Sequence, residues 1–287
     1  MAQGVFAVIG DVGHFNPTLK GVLRRIKTNG SIRRMFVVGD LFYPSGLTDK
    51  DPRLAEFERI FGNVPCPINV LLGNHDYLGE PKLYLSADKG KPRLWQMPNY
   101  YYRLCYPNLD VIMLDTQQLE PCYTRLPKRS NVNGRLVESK VGLGRSMEQI
   151  RGEQMAWLEG ALSSSKAAFK VVMGHYHLLS NGAYENNVRL TKLLVPLLAK
   201  HRVDAYICGH EHNNQHHVIR EGGHKLHHLV IGSTSGCRTE YQPRQEGYIS
   251  FDNCYLEMRA TRDLLVFSFV NLANKKIRTV KIRKDAH

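Results

Sequence analysis

Cysteine, acidic residues and long apolar runs are all scarce in this chain of 287 residues. Its six cysteines (Cys66, Cys105, Cys122, Cys208, Cys237 and Cys254) show no CxxC spacing and no dense framework. They are too few to hold a chain of this length together, so one disulfide at most is expected, with the remaining thiols buried and free. No apolar stretch approaches the roughly 20 residues that span a bilayer. Internal repeats and low-complexity linkers are missing too, which points to one domain over residues 1–287. The first apolar run begins almost at once, leaving no room for a signal peptide. The compartment is therefore open between the cytosol and secretion of a chain whose leader has been removed, with the sequon Asn29-Gly30-Ser31 the one hint of secretion. Acidic residues number 26 against 39 basic ones, a formal net charge of +13 that favours anionic partners. No nucleic-acid-binding module accompanies that charge, so specific nucleic-acid recognition is not expected.

Against these absences stand five short polar blocks, each preceded by an apolar run. They are Gly10-Asp11-Val12-Gly13, Gly39-Asp40-Leu41-Phe42-Tyr43, Gly73-Asn74-His75-Asp76, Gly174-His175 and Gly209-His210-Glu211-His212. A buried strand ending in Gly and then a polar side chain is how an α/β sheet delivers groups to the crevice at its strand ends. Apolar spacing predicts amphipathic helices over 19–27, 53–61, 149–162 and 190–200. After Gln215 the pattern becomes a series of strands separated by turns such as Glu221-Gly222-Gly223. Two packed sheets covered by helices on the outside would accommodate this order. The segment 120–145, rich in Pro, Gly, Asn and basic residues, is expected to be a long exposed loop.

The five blocks carry a metal-ligand chemistry. Asp11 and Asp40 suit hard cations, while His175, His210 and His212 suit divalent transition metals. Asn74 adds an amide oxygen, and Tyr43 adds a phenolate, which prefers a hard trivalent ion. Two ions held ~3.5–4 Å apart polarise a phosphoryl oxygen and lower the pKa of a bridging water. His75 adjoins Asn74 and can stand beside the metals as a general acid, with Asp76 able to orient its ring.

In their order GDxG, GDxxY, GNHD and GHxH, these blocks resemble the purple acid phosphatases, a branch of the binuclear metallophosphoesterases. The small tartrate-resistant type is the nearest in pattern, and the similarity extends over most of the chain. The resemblance implies a four-layer α/β/β/α sandwich. It also implies an Fe(III) held by Asp11, Asp40, Tyr43 and His212, beside a second ion of Fe(II), Zn(II) or Mn(II) completed by Asn74, His175 and His210, with Asp40 bridging. Hydrolysis of phosphate monoesters by in-line attack of metal-bound hydroxide would follow, on a phosphorylated small molecule or phosphoprotein, by a monomer. The family is usually secreted or lysosomal.

The chain departs from that pattern in three places. His177 replaces a usual Pro, and Tyr184 stands near the place of a further active-site His, so either His177 or Tyr184 would supply the second acid or substrate contact. Cys122 fits one end of the family disulfide, but no Cys between His175 and His201 fits the other. Phosphodiesterase or nucleotide pyrophosphatase activity on the same scaffold is the enzymatic alternative. A scaffold protein that kept the fold and lost catalysis is the other. His216, His217, His224, His227 and His228 would be scattered over both faces of two strands, as surface or supporting residues rather than ligands. His14 is either a loop residue or a group near the substrate.

Overall fold

In the computed structural model, residues 4–86, 94–120, 130–132, 135–137 and 146–284 are described. Two seven-stranded sheets face each other. The first has the order β16-β15-β14-β1-β2-β3-β4 and the second β13-β11-β12-β10-β9-β6-β5. In the first sheet β1 (Val5–Ile9), β2 (Ile32–Val38), β3 (Ile68–Leu71) and β4 (Trp95–Gln96) run parallel, and β14 (Cys254–Ala260), β15 (Leu264–Asn271) and β16 (Lys276–Arg283) extend it antiparallel. In the second, β6 (Leu109–Met113), β9 (Phe169–Met173), β10 (Ala205–Cys208) and β12 (His224–Ile231) are parallel neighbours. Antiparallel β5 (Tyr102–Tyr106), β11 (Asn214–Glu221) and β13 (Tyr248–Ser250) complete it.

The parallel strands read as unbroken apolar runs because both of their faces are covered. Val171, Met173, Ala205 and Ile207 pack into the core between the sheets. Their neighbours Val172, Tyr206 and Cys208 point outward, against Leu158 and Leu162 of α4 (Met147–Ser163) and Leu190 and Leu194 of α5 (Val188–Lys200). On the other side α1 (Pro17–Thr28) buries Leu19, Val22, Leu23 and Ile26, and α2 (Arg53–Phe61) buries Phe57 and Phe61. Each such side chain contributes about 1.5–3 kcal/mol. The layers are thus helix, sheet, sheet, helix, as the resemblance implied.

Local chemistry sets the helix starts. Asn16 caps α1 by accepting from the Leu19 N–H, with Pro17 at the first helical position. Ser146 and Gln149 form a reciprocal capping box on α4, and Asn187 accepts from the Leu190 N–H on α5. A four-residue helix α3 (Thr116–Leu119), capped by Asp115, had no periodicity to announce it. The expected loop 120–145 contains a short hairpin, β7 (Ser130–Val132) with β8 (Arg135–Val137). Cys122 and most of the loop's basic residues lie outside the described residues.

A candidate binuclear metal centre

All five blocks sit at the C-terminal ends of parallel strands: β1, β2 and β3 in the first sheet, β9 and β10 in the second. The chain must turn sharply there to aim side chains across the gap between sheets. Among the described residues seven non-glycines have positive φ, and four of them are Asp11 (56°), Asp40 (54°), His210 (69°) and His212 (52°). Such conformations are uncommon outside glycine and persist only where the surroundings enforce them. Here the enforcement comes from crossed loop contacts. Asp11 N–H donates to the Gly39 carbonyl at 3.1 Å, and Val12 and Gly13 N–H donate to the Asp40 carbonyl at 3.1 and 3.0 Å. Gly73 and Gly209 permit the close approach, because a Cβ there would collide with the Asp40 and Asp11 carboxylates.

The seven predicted ligands converge. Tyr43 Oη lies 2.9 Å from Asp40 Oδ2, 3.2 Å from Asp11 Oδ1 and 3.1 Å from His212 Nε2. One candidate ligand atom from each of Asp11, Asp40 and His212 falls within 4.8 Å of the others. On the opposite side of Asp40, His175 Nε2 is 3.5 Å from Asp40 Oδ1 and 3.1 Å from Asn74 Oδ1. Asp40 thus presents one oxygen to each group, the disposition a bridging carboxylate needs. His210 rounds off the second group, its ring 5.1 Å edge-on to that of His175.

Protonation supports a cation here. His175 Nδ1–H donates to the Val38 carbonyl at 2.8 Å. Burial lowers its pKa, and with Nδ1–H committed to Val38 its Nε2 is left toward the Asn74 and Asp40 oxygens. Lone pairs facing oxygens make a cation's cradle. Burial, then the neighbouring Asp40 charge, pushes Asp11 well above the usual carboxylate range, and the same two causes push the Tyr43 phenol up. Burial holds His212 down to about 4 and His210 well below the ordinary imidazole value. Neutral imidazoles and crowded anionic oxygens are what a hard cation would reward. The donor set therefore fits metal ions of the expected kind.

His75 stands beside the cluster, its ring 4.6 Å edge-on to Tyr43, and its backbone N–H donates to Asp40 Oδ1 at 2.9 Å. The orienting contact differs from expectation. His75 Nδ1–H donates to the Pro44 carbonyl at 2.6 Å. Asp76 is turned into the core, accepting from Gly73 N–H (2.8 Å), Leu41 N–H (3.0 Å) and Tyr84 Oη–H (2.9 Å). Burial, then Asp40, pushes Asp76 up to about 8. Its visible function is to lock the Asp40 and Asn74 loops together. His14 stacks on the Tyr43 ring at 4.4 Å.

The two contenders for the second acid separate cleanly. His177 is fully buried, its Nε2–H donating to the Glu185 carbonyl at 2.8 Å, and its ring packs 5.7 Å behind His210. Burial pushes it down to about 4. Tyr184 is half-buried and stacks on His210 at 4.6 Å, 17° from parallel. Its backbone and that of Ala183 donate to the Glu211 carboxylate, both at 3.1 Å.

Three contributors had no motif to reveal them. Glu211 occupies the middle of its block and reads there as a spacer. Arg53 gathers the carbonyls of Tyr43, Ser45 and Gly46 at 3.0, 2.7 and 2.9 Å, fixing the loop that carries Tyr43. Arg238 reaches Tyr184 from a segment without pattern. The histidine-rich hairpin behaves as alternation required, with His216 and His227 on one face and His217 and His228 on the other; His216, His217 and His228 are buried, and His224 and His227 half-buried.

Comparison with known proteins shows the family. Residues 4–214 match the family model for calcineurin-like phosphoesterases. The chain belongs to that family of phosphoesterase hydrolases, on its purple acid phosphatase branch. Tartrate-resistant acid phosphatase type 5 of Sus scrofa is 30% identical over 276 residues, covering 90% of this chain and 74% of the relative. Among solved structures, GAP50, described as the anchor in the inner membrane complex of Plasmodium, superposes with a TM-score of 0.78 at 22% identity, covering 100% of this chain and 90% of the other. A purple acid phosphatase from yellow lupin seeds superposes with a TM-score of 0.73 at 16% identity, covering 99% of this chain and 54% of the other. Both likenesses speak to fold.

Proposed function

We propose that this single-domain, monomeric chain hydrolyses phosphate monoesters, small-molecule or protein-borne, at an Fe(III)–M(II) centre with M as Fe(II), Zn(II) or Mn(II). Asp11, Asp40, Tyr43 and His212 would hold the ferric ion, and Asp40, Asn74, His175 and His210 its divalent partner. The observation that carries this is Tyr43 Oη packed against Asp11, Asp40 and His212 at 2.9–3.2 Å, a phenol-containing donor set suited to a trivalent ion. When bound, the ions supply an acidified water as nucleophile and neutralise charge gathering on the phosphoryl oxygens.

The protein's own part is to place and protonate. Asp76 and the crossed Asp11 and Asp40 loops hold the donors rigid before substrate arrives. His75 keeps Nδ1–H on the Pro44 carbonyl, so it can protonate a departing alkoxide only from Nε2, with both nitrogens protonated.

A non-catalytic anchor is the second reading, suggested by the role described for the Plasmodium protein. The full set of seven donors in one place argues for catalysis instead. Metal analysis together with hydrolysis of an aryl phosphate monoester and an aryl diester across pH tests the proposal. Metal-dependent monoesterase activity with an acidic optimum is expected. Preference for the diester would favour a phosphodiesterase, and metal-loaded but inert protein would favour the anchor.

A further inference from the structure

Arg238 belongs to none of the five blocks, yet two of them hold it. Its backbone N–H donates to the His212 carbonyl at 2.8 Å. Its guanidinium donates from Nη1 to Tyr184 Oη at 2.7 Å and lies 5.4 Å over the Tyr184 ring, which itself lies against His210. Arg238 is thereby tied to one candidate ligand of each ion group. Its charge bears on Asp11, Tyr43 and His212. Among the described residues, however, no carboxylate lies within ion-pair distance of it, and Tyr184 Oη is the guanidinium's hydrogen-bond acceptor. A half-buried guanidinium fixed beside a centre that would itself hold cations, with N–H groups still open, is suited to an anion brought in from outside.

We propose that Arg238, oriented by Tyr184, binds the non-bridging oxygens of the substrate's phosphoryl group and sets the preference for monoesters over diesters. The inference rests on the phosphatase reading above. A planar fork with N–H groups remaining beyond the one given to Tyr184 matches phosphoryl geometry, as a lysine's point charge would not. A terminal phosphoryl group offers three non-bridging oxygens and a second negative charge. A diester offers two oxygens and one charge, so an added guanidinium favours the monoester.

The test compares wild type with R238A, R238K and Y184F, all metal-loaded. Readouts are calorimetric binding of inorganic phosphate, metal content, and KM and kcat for an aryl monoester and an aryl diester. R238A is expected to weaken phosphate binding and raise the monoester KM by about 10- to 100-fold, the loss typical of a charged hydrogen-bonding group. The diester KM should rise less than the monoester KM, and the metal content should stay close to wild type. R238K should recover part of the loss, and Y184F should fall between R238A and wild type. Unchanged phosphate affinity in R238A would overturn the proposal, as would a loss matched by equal loss of metal. A wild type that neither keeps metal nor hydrolyses phosphate would instead overturn the functional reading, and the inference would fall with it.

Discussion

Two sets of buried and half-buried histidines divide the second sheet, and they do different work with the same ring. His175, His210 and His212 follow β9 and β10, while His216, His217, His227 and His228 lie on the β11–β12 hairpin a few residues further on. Burial pushes every one of them below the ordinary imidazole pKa. Burial and a lowered pKa alone thus do not tell the two sets apart. What differs is the atom each nitrogen meets. His175 and His212 face carboxylate, amide and phenol oxygens. On the hairpin, Arg278 donates to His216 Nδ1 at 3.5 Å, leaving His216 Nε2–H to donate to His227 Nδ1 at 3.0 Å. His217 Nε2–H likewise donates to Gln215 Oε1 at 2.8 Å. At His216 and His227 donor meets acceptor, whereas in the centre the His175 Nε2 faces the Asn74 and Asp40 oxygens.

That contrast can be broken from either side. The largest effect is expected from Asp40→Asn, which takes charge from the carboxylate between the two groups. Bound metal should fall together with a loss in kcat/KM of about 10³-fold, several kcal/mol of transition-state stabilisation. Metal analysis beside kinetics would show both, and retained metal would deny Asp40 its central place. His75→Ala should come next, lowering kcat about 10²- to 10⁴-fold with metal content unchanged. Metal lost in that variant would contradict a role beside the ions.

On the hairpin the expected signature is stability without activity. His216→Gln should leave metal and kcat near wild type and lower unfolding stability at neutral pH by about 1–3 kcal/mol, because it breaks the Arg278–His216–His227 chain. The pH dependence has a definite sign. Burial holds His216 down to about 3 and His227 to about 4, against 6.5 when exposed. Their stabilisation is therefore whole above pH 6.5 and is lost as pH falls toward those values. The gap between wild type and variant should narrow from pH 7 to pH 5 in denaturant titrations. A gap that widens would mean the pair is protonated in the fold.

Much of this was legible in the sequence, for a local reason. A ligand placed directly after a buried parallel strand is specified by its own block, so Asp11, Asp40, Asn74, His175, His210 and His212 could be placed from the apolar run before each. Tyr43 came with its block as well. The two sheets and four of the helices followed from apolar periodicity. What stayed hidden depends on pairs distant in the chain. The contact that orients His75 comes from a backbone carbonyl at Pro44, to which any residue type would be equally suited. Asp76 adjoins His75 in sequence, but its carboxylate turns to Leu41, Gly73 and Tyr84, which adjacency does not reveal. Arg238 lies 54 residues from Tyr184. His177 and Tyr184 looked equivalent because both follow the same Gly-His turn, and burial alone told them apart.

Tyr43 carries the central claim, and iron content with visible absorption of aerobically purified wild type and Tyr43→Phe tests it most directly. A phenolate-to-iron charge-transfer band is expected in the wild type and its loss in the variant. Iron-free, colourless wild-type protein, or a band that survives in the variant, would contradict the assignment of a ferric ion to Tyr43.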